Sequence, residues 1–456
     1  MKRAITIAQV GFGMFGSHEV ARSVESIVRH GVAPFLGRIG CAGLACGLAD
    51  VEFEMAAVGA RSEASSVRAA SQFESSTGRR PKNYFGERPW EPIIDELKPD
   101  ILVVATPDDI HFEPCLHALT KGVHVMCEKP LAMHVNEALT LVREARSRGL
   151  LLGSDNHKEY DPDHIYIARN ILPEIAPLNY GRAYLEEPLD VSTSTFKWVA
   201  EEGRSAPVHA TPFSYVGIHW VSLFQNLYGR DAEGRLTMSP VHVSGHGQKN
   251  LLYGTYGIDA VDSTVVDVVY DTGAKVVYEN NWITPEEFCG IVVNQGHEIV
   301  GANGKVESDQ QNRGLLYWIG KNGGRGASGA TSQRTANSHF FREVLPPAGG
   351  GAPDSYSGYG MDAITAFMAA AVRLLVKKAS IDEVRGTFID GESQILPCAV
   401  IAAGNESIWK NRELTESGCP PDASCSIDPQ RGIELTFTDA GGVMRRKTVF
   451  EGALDA

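Results

Sequence analysis

The sequence predicts an α/β protein that opens with a doubly wound parallel sheet. Three observations predict it. Short apolar, β-branched runs, Ala4–Val10, Ile101–Ala105 and Val123–Met126, alternate with stretches that read as helices. The first run passes directly into Gly11, Gly13 and Gly16, spaced G-x-G-x-x-G, with a helix-compatible stretch from Ser17 to Val28 behind them. The other two runs end on polar or charged residues, Thr106-Pro107 and Glu128-Lys129-Pro130. In a parallel sheet those are carboxyl ends, where ligands bind.

The glycine spacing has a mechanism. The first glycine permits a tight turn, the second lets backbone approach a pyrophosphate, and the third packs helix against strand, with the helix N-terminus facing the phosphates. The turn Gly11-Phe12-Gly13-Met14-Phe15-Gly16 is therefore the expected dinucleotide-binding loop, with Thr106, Pro107, His111, Glu128 and Lys129 closing the crevice. The next strand, ending near Ala60, arrives about twenty residues later than the ~30 residues of a plain βαβ unit. The stretch HGVAPFLGRIGCAGLAC reads as an insertion. That strand ends on Ala60, Arg61 and Ser62, with no acid for a ribose 2′-hydroxyl. Arginine and serine suit a 2′-phosphate, which favours NADP over NAD; an Arg61 stacked on adenine or merely solvated is the alternative.

Bulk properties narrow the field. With 456 residues the chain is long enough for two or three domains. Lys plus Arg is 42 against 56 Asp plus Glu, a net charge of −14, so neither nucleic acid nor an anionic membrane is an expected partner. No run approaches the ~18 apolar residues of a membrane span. The basic start MKR precedes an apolar run too short for a signal peptide, and export is not expected. The eight cysteines are scattered, with no CxxC pair and no Cys/His cluster at zinc spacing, as for reduced thiols in a cytoplasmic protein; no metal site is read from spacing.

The stretches VGFGMFG, TPDDIHFEPCLHALTKGVHVMCEKPLA and the later NNWITPEE resemble the Gfo/Idh/MocA oxidoreductases, closely over about the first 160 residues and patchily beyond. The resemblance implies a Rossmann domain, residues 1–155, followed by a substrate-binding and oligomerisation α/β domain, 156–456. The second domain would carry a large, mostly antiparallel open sheet, with helices within 361–415 packing back near the first. It implies a homo-oligomer, dimer or tetramer. Strand-like runs GRAYLEEPLDV, VHVSGHGQKNLLY and GIVVNQGHEIVGANGKVESDQ are compatible with that sheet. A hairpin joins Val265–Tyr270 to Ala274–Tyr278 through Asp271-Thr272-Gly273, and another turns at Asp439–Gly442. The glycine-rich segments 321–335 and 346–360 read as loops, either binding loops or surface excursions.

Hydride transfer from an alcohol requires a cation beside the reacting oxygen and a group that takes the proton. Lys129 matches the family's catalytic lysine; a structural pair with Glu128 is the bland alternative, and Pro130 is a candidate cis residue. In TPFSYVGIHW, His219 matches the histidine of the family's Asp-x-x-x-His pair, while Tyr215 stands where the aspartate would be. If helical, Tyr215 and His219 share a face at i, i+4. Asn156, His157 and Lys158 are candidate substrate contacts, with a surface role equally open; His124, inside a strand, reads as structural. The expected function is NAD(P)-dependent oxidation of a secondary alcohol in a sugar, cyclitol or glycoside. A glycosidase that oxidises its sugar transiently on tightly bound NAD is the rival, separated by whether reduced cofactor accumulates. A non-catalytic Rossmann binding protein is the second rival, argued against by Lys129 and His219.

Overall fold

A computed structural model describes residues 4–195, 211–285, 293–311, 315–319, 332–336, 339–345 and 353–455. The chain divides into two compact units: residues 1–162 with 339–395 and 456, and residues 163–338 with 396–455.

The first unit holds a six-stranded sheet of β1 (Ile5–Val10), β2 (Phe53–Ala60), β3 (Lys82–Phe85), β4 (Ile101–Val104), β5 (His124–Cys127) and β6 (Leu152–Ser154). Its order is β3-β2-β1-β4-β5-β6 and every pairing is parallel. The order reverses between β1 and β4, so their carboxyl ends form the crevice of a doubly wound sheet. β4 and β5 are buried at every residue, as strands covered on both faces must be. The insertion after the first helix forms short helical turns, and Arg38 within it makes a bidentate pair with buried Asp362, at 3.0 and 2.9 Å. The stretch after the glycines is not one regular helix: residues Gly16–Val20 form a π-helical turn before the α-helix Ala21–His30. The helix Tyr359–Leu375 is buried over most of its length and joins the core of this unit, although it lies far beyond residue 155 in sequence.

The second unit holds a nine-stranded sheet. Its strands are β7 (Leu178–Pro188), β8 (Pro240–Gln248), β9 (Ser263–Tyr270), β10 (Lys275–Thr284), β11 (Asn294–Gly301) and β12 (Gly304–Asp309), then, after β13 (Leu315–Ile319), β14 (Ser332–Ala336), β15 (Arg342–Val344) and β16 (Ser355–Ser357), which lie outside it, β17 (Ser424–Asp428), β18 (Gly432–Thr438) and β19 (Met444–Glu451). The order is β12-β11-β7-β10-β9-β8-β17-β18-β19, antiparallel except for β7 with β10. The β9–β10 hairpin turns through Gly273 at φ +84°, and Asp439 closes the β18–β19 turn by accepting the amides of Gly441 and Val443. Two strand readings are corrected. Leu189–Thr195 and Leu251–Tyr256 are short helices, the second held by Asp262, whose carboxylate accepts the amides of Asn250, Leu251 and Leu252. The long helix Ile395–Glu416 accepts Pro397 because the proline sits in its first turn, and this helix groups with the second unit. Of the glycine-rich segments, 321–331 and 346–352 lie outside the described residues; 332–336 is strand β14. No described helix is long and apolar enough to cross a membrane. The described cysteines are free thiols.

Candidate active site

The three glycines of the first turn have three different surroundings. Gly11 has φ +91°, and a Cβ there would lie 2.1 Å from the carbonyl oxygen of Ala105. A Cβ on Gly16 would lie 2.7 Å from the carbonyl oxygen of Gly11. Around Gly13 no atom lies within 4 Å of that point, so its backbone faces open space at the sheet crevice. Buried Gln9 pins the turn, donating to the carbonyls of Gly16 at 2.8 Å and Gly11 at 3.2 Å. At the end of β4, Thr106 Oγ1 is buried with no hydrogen-bond partner among the described residues. An open glycine backbone and an orphaned hydroxyl at one strand edge fit a bound dinucleotide phosphate. Met14 stands exposed, while Phe15 stacks toward His157 at 5.9 Å.

His111 lies between the loops that follow β4 and β5. Its ring is buried, and its nitrogens lie 2.7 Å from the carbonyl oxygen of Pro130 and 2.9 Å from that of Thr106. Burial pulls its pKa below the ordinary value. His124 is structural as read: its Nδ1 accepts the amide of Leu151 at 2.9 Å, and burial lowers its pKa to about 4. Pro107, exposed, precedes a short turn. Arg61 and Ser62 are exposed at the end of β2, and the Ser62 hydroxyl caps the helix Glu63–Thr77 by accepting the Ser65 amide at 3.3 Å.

Lys129 lies just past β5, half-buried, with a cis bond to Pro130 and its amide donating to Glu128 Oε2 at 3.2 Å. Around it is an acidic environment of which linear reading named only Glu128. Glu128, Asp155 and Glu19 are 8 %, 1 % and 3 % exposed. Burial raises the Glu128 carboxyl to about 7, against the lowering effect of Lys129. Burial and then the neighbouring Glu128 charge push Asp155 and Glu19 well above the carboxylate range. Asp155 and Glu19 had one available signal: each follows a strand or glycine turn at the carboxyl edge of the sheet.

Asn156, His157 and Lys158 are all buried, which removes the surface reading. Asn156 is engaged in the scaffold, its amide donating to Gln394 and Ser154. His157 sits among Phe340, Tyr359 and Phe15, ring centroids 5.0, 5.7 and 5.9 Å away. Burial, then Lys158 and Lys129, hold its imidazole well below the usual pKa, hence neutral.

In the second unit Tyr215 lies in a π-helical turn, Phe213–Gly217, and His219 in the following α-helix, Ile218–Leu223. The two residues therefore lie on consecutive helical segments, not on one regular α-helix. Tyr215 is half-buried and packs edge-on to Trp282 at 5.8 Å. His219 is buried. In the same unit His164, Trp220, Tyr228 and His297 form an aromatic cluster, with the Tyr228 hydroxyl 3.0 Å from His297 Nε2; sequence reading named none of these.

A six-stranded parallel sheet with an open glycine turn and a strand-end lysine defines the class, a Rossmann-fold dinucleotide-binding protein. Residues 5–155 match the family described as "Oxidoreductase family, NAD-binding Rossmann fold", GFO_IDH_MocA. It is 42 % identical to D-glucoside 3-dehydrogenase of Escherichia coli over 67 residues, covering 15 % of this chain and 19 % of the relative. It is 39 % identical to 1,5-anhydro-D-fructose reductase of Ensifer adhaerens over 67 residues, covering 15 % and 20 %. The match thus spans about a fifth of the length of these relatives. In fold it is similar to scyllo-inositol dehydrogenase of Lactobacillus casei with bound NAD(H) and scyllo-inositol, TM-score 0.61 at 13 % identity, covering 90 % of this chain and 98 % of that one. GenD2 from gentamicin A biosynthesis, in complex with NAD, gives TM-score 0.58 at 15 % identity, covering 94 % and 97 %.

Proposed function

We propose that the protein is a nicotinamide-dependent oxidoreductase acting on a secondary alcohol of a cyclitol, sugar or glycoside. The observation that carries this reading is the pairing, on one edge of one parallel sheet, of an open Gly13 backbone with a lysine ending β5. The relatives' names add the substrate class, since they concern glucosides, anhydrofructose and inositol. A dinucleotide held by the turn Gly11–Gly16, with Thr106 and Pro107, would supply the hydride acceptor or donor. Lys129 would place its ammonium at the substrate oxygen and stabilise the alkoxide that develops there. His219 would take or return the hydroxyl proton, and Tyr215 would shape the pocket or donate to a substrate hydroxyl. Glu128 would hold the Lys129 backbone in place through the bond to its amide. Arg61 and Ser62, exposed beyond β2, support NADP as the preferred cofactor. The working form would be a homo-oligomer, a dimer or tetramer.

The test is to identify the nucleotide retained by purified protein, then to screen cyclitols, sugars and glycosides for accumulation of reduced nicotinamide. Stoichiometric nucleotide with accumulation of reduced cofactor supports a dehydrogenase. Product formation without accumulation would replace it with the transient-oxidation glycosidase, and absence of any nucleotide affinity would remove the reading.

A further inference from the structure

Glu19, Asp155 and His157 come from three places in the first unit: the helical turn behind the glycine loop, the end of β6, and the short turn that follows it. A ligand atom from each lies within 4.8 Å of the other two. All three residues are buried, at 3 %, 1 % and 4 % exposure. We propose that these three side chains bind one divalent transition-metal ion of the Zn²⁺ or Mn²⁺ kind.

The geometry is close to what such an ion needs. Carboxylate oxygens and imidazole nitrogens sit about 2.0–2.2 Å from such an ion, so ligand atoms around it stand roughly 3–4 Å apart. The observed cluster requires only a small contraction. Two carboxylates and one imidazole suit zinc or manganese rather than a thiolate-loving metal.

Hydrogen bonding points the same way. Glu128 and Asp155 face each other, and one shared proton would satisfy that pair. Glu19 is different: neither of its oxygens has a hydrogen-bond partner among the described residues. Protonating it would leave a buried O–H without an acceptor, whereas a metal ion contacts the oxygens directly. Space is also kept for this carboxylate. A Cβ on Gly360 would lie 2.5 Å from Glu19 Oε1, so the glycine at the start of the helix Tyr359–Leu375 leaves the position open. Phe15, Phe340 and Tyr359 wall the imidazole with aromatic rings.

The proposal does not rest on the activity argued above, and its test does not read activity. Full-length protein purified without chelator is assayed for metal by elemental analysis. It is then stripped with EDTA and titrated with ZnCl₂ and with MnCl₂ by calorimetry, with the melting temperature recorded at each step. The expected result is about one ion per chain for one of the two metals, and a melting temperature raised by roughly 2–4 °C on loading. Glu19→Gln and Asp155→Asn should each weaken binding by about tenfold or more. Glu25→Gln, a buried acid outside the cluster, should bind like wild type. Wild-type protein that neither retains metal nor gives saturable binding would overturn the proposal, whatever the variants do. So would full-affinity binding in both Glu19→Gln and Asp155→Asn, which would put the ion elsewhere.

Discussion

The two regions that carry candidate chemistry are built on opposite plans. Around Lys129, in the first unit, the polar groups sit at the ends of parallel strands or on the turns that follow: Thr106 after β4, Glu128 and Lys129 after β5, Asp155 after β6. In the second unit, which holds His219, the candidate surroundings include an aromatic cluster, and its members Trp220, Tyr228, His164 and His297 arrive from separate helices and from β11. In the first region burial moves carboxyls far from their ordinary pKa. Parallel strands put chemistry at fixed points in the chain, one after each apolar run. An antiparallel sheet with helices on it gathers a site from residues with no such regular spacing.

The comparison breaks most sharply at Lys129. Lys129→Met keeps the stem and removes the charge, and should lower kcat by ~10²-fold or more, as loss of an oxyanion donor does. Cofactor affinity by calorimetry should change little. Turnover at the wild-type rate would make Glu128-Lys129 a structural pair.

The glycine turn offers a contrast within the first region. Gly11→Ala forces a Cβ to 2.1 Å from Ala105 at φ +91°, so thermal unfolding should show a loss of about 3 kcal/mol or more. Gly13→Val meets open space and should melt like wild type, yet lose at least about tenfold in dinucleotide affinity. A Gly13→Val protein that binds normally would separate this turn from the phosphates.

At the edge of β2, Arg61→Ala should weaken NADP by roughly ten- to hundredfold and NAD far less, since a charge-assisted contact contributes about 1.5–3 kcal/mol. Equal losses for the two cofactors would point to adenine stacking.

Buried acid in the first unit also sets a pH dependence. Burial raises Glu25 from 4.5 to about 7, against its bond to Gln72 at 2.7 Å and the nearby Arg22 and Arg29. The folded state then keeps a proton that the unfolded chain releases above about 4.5. Its stability contribution is therefore full below pH 4.5 and lost as pH rises through 7. Glu25→Gln should be more stable than wild type by about 1–2 kcal/mol at pH 8, with the gain vanishing near pH 5. A gain independent of pH would contradict this account.

The smallest effect is expected in the second region. Tyr215→Phe keeps the edge-on contact with Trp282 and should cost about 0.5–1 kcal/mol in kcat/KM. A hundredfold loss would mean that Tyr215 performs the task of the aspartate it replaces.

The contrast also explains what could be read in advance. The glycine turn, the strand-end lysine and the β9–β10 hairpin were legible because each is local: a spacing, an apolar run with an abrupt charged end, a tight turn with Gly273. The parallel pairing of β7 with β10 was not, since these strands lie far apart in sequence. The helix Leu251–Tyr256 hid for the same reason, because its cap, Asp262, follows it in the chain. The carbonyl neighbours of His111, on Thr106 and Pro130, were not legible either, since Pro130 lies nineteen residues away. Glu19 and Asp155 were overlooked because nothing local marks an acid as buried beside another.

The most direct measurement follows hydrogen rather than absorbance. The protein is given oxidised NADP or NAD with cyclitols and methyl glycosides deuterated at their carbinol carbons, and the nicotinamide is analysed by mass spectrometry. The account predicts one deuterium on the reduced cofactor, accumulating with oxidised product and suppressed about a hundredfold or more in Lys129→Met. Deuterium that leaves for water, or a panel from which none reaches the nicotinamide, would contradict hydride transfer from a carbohydrate alcohol.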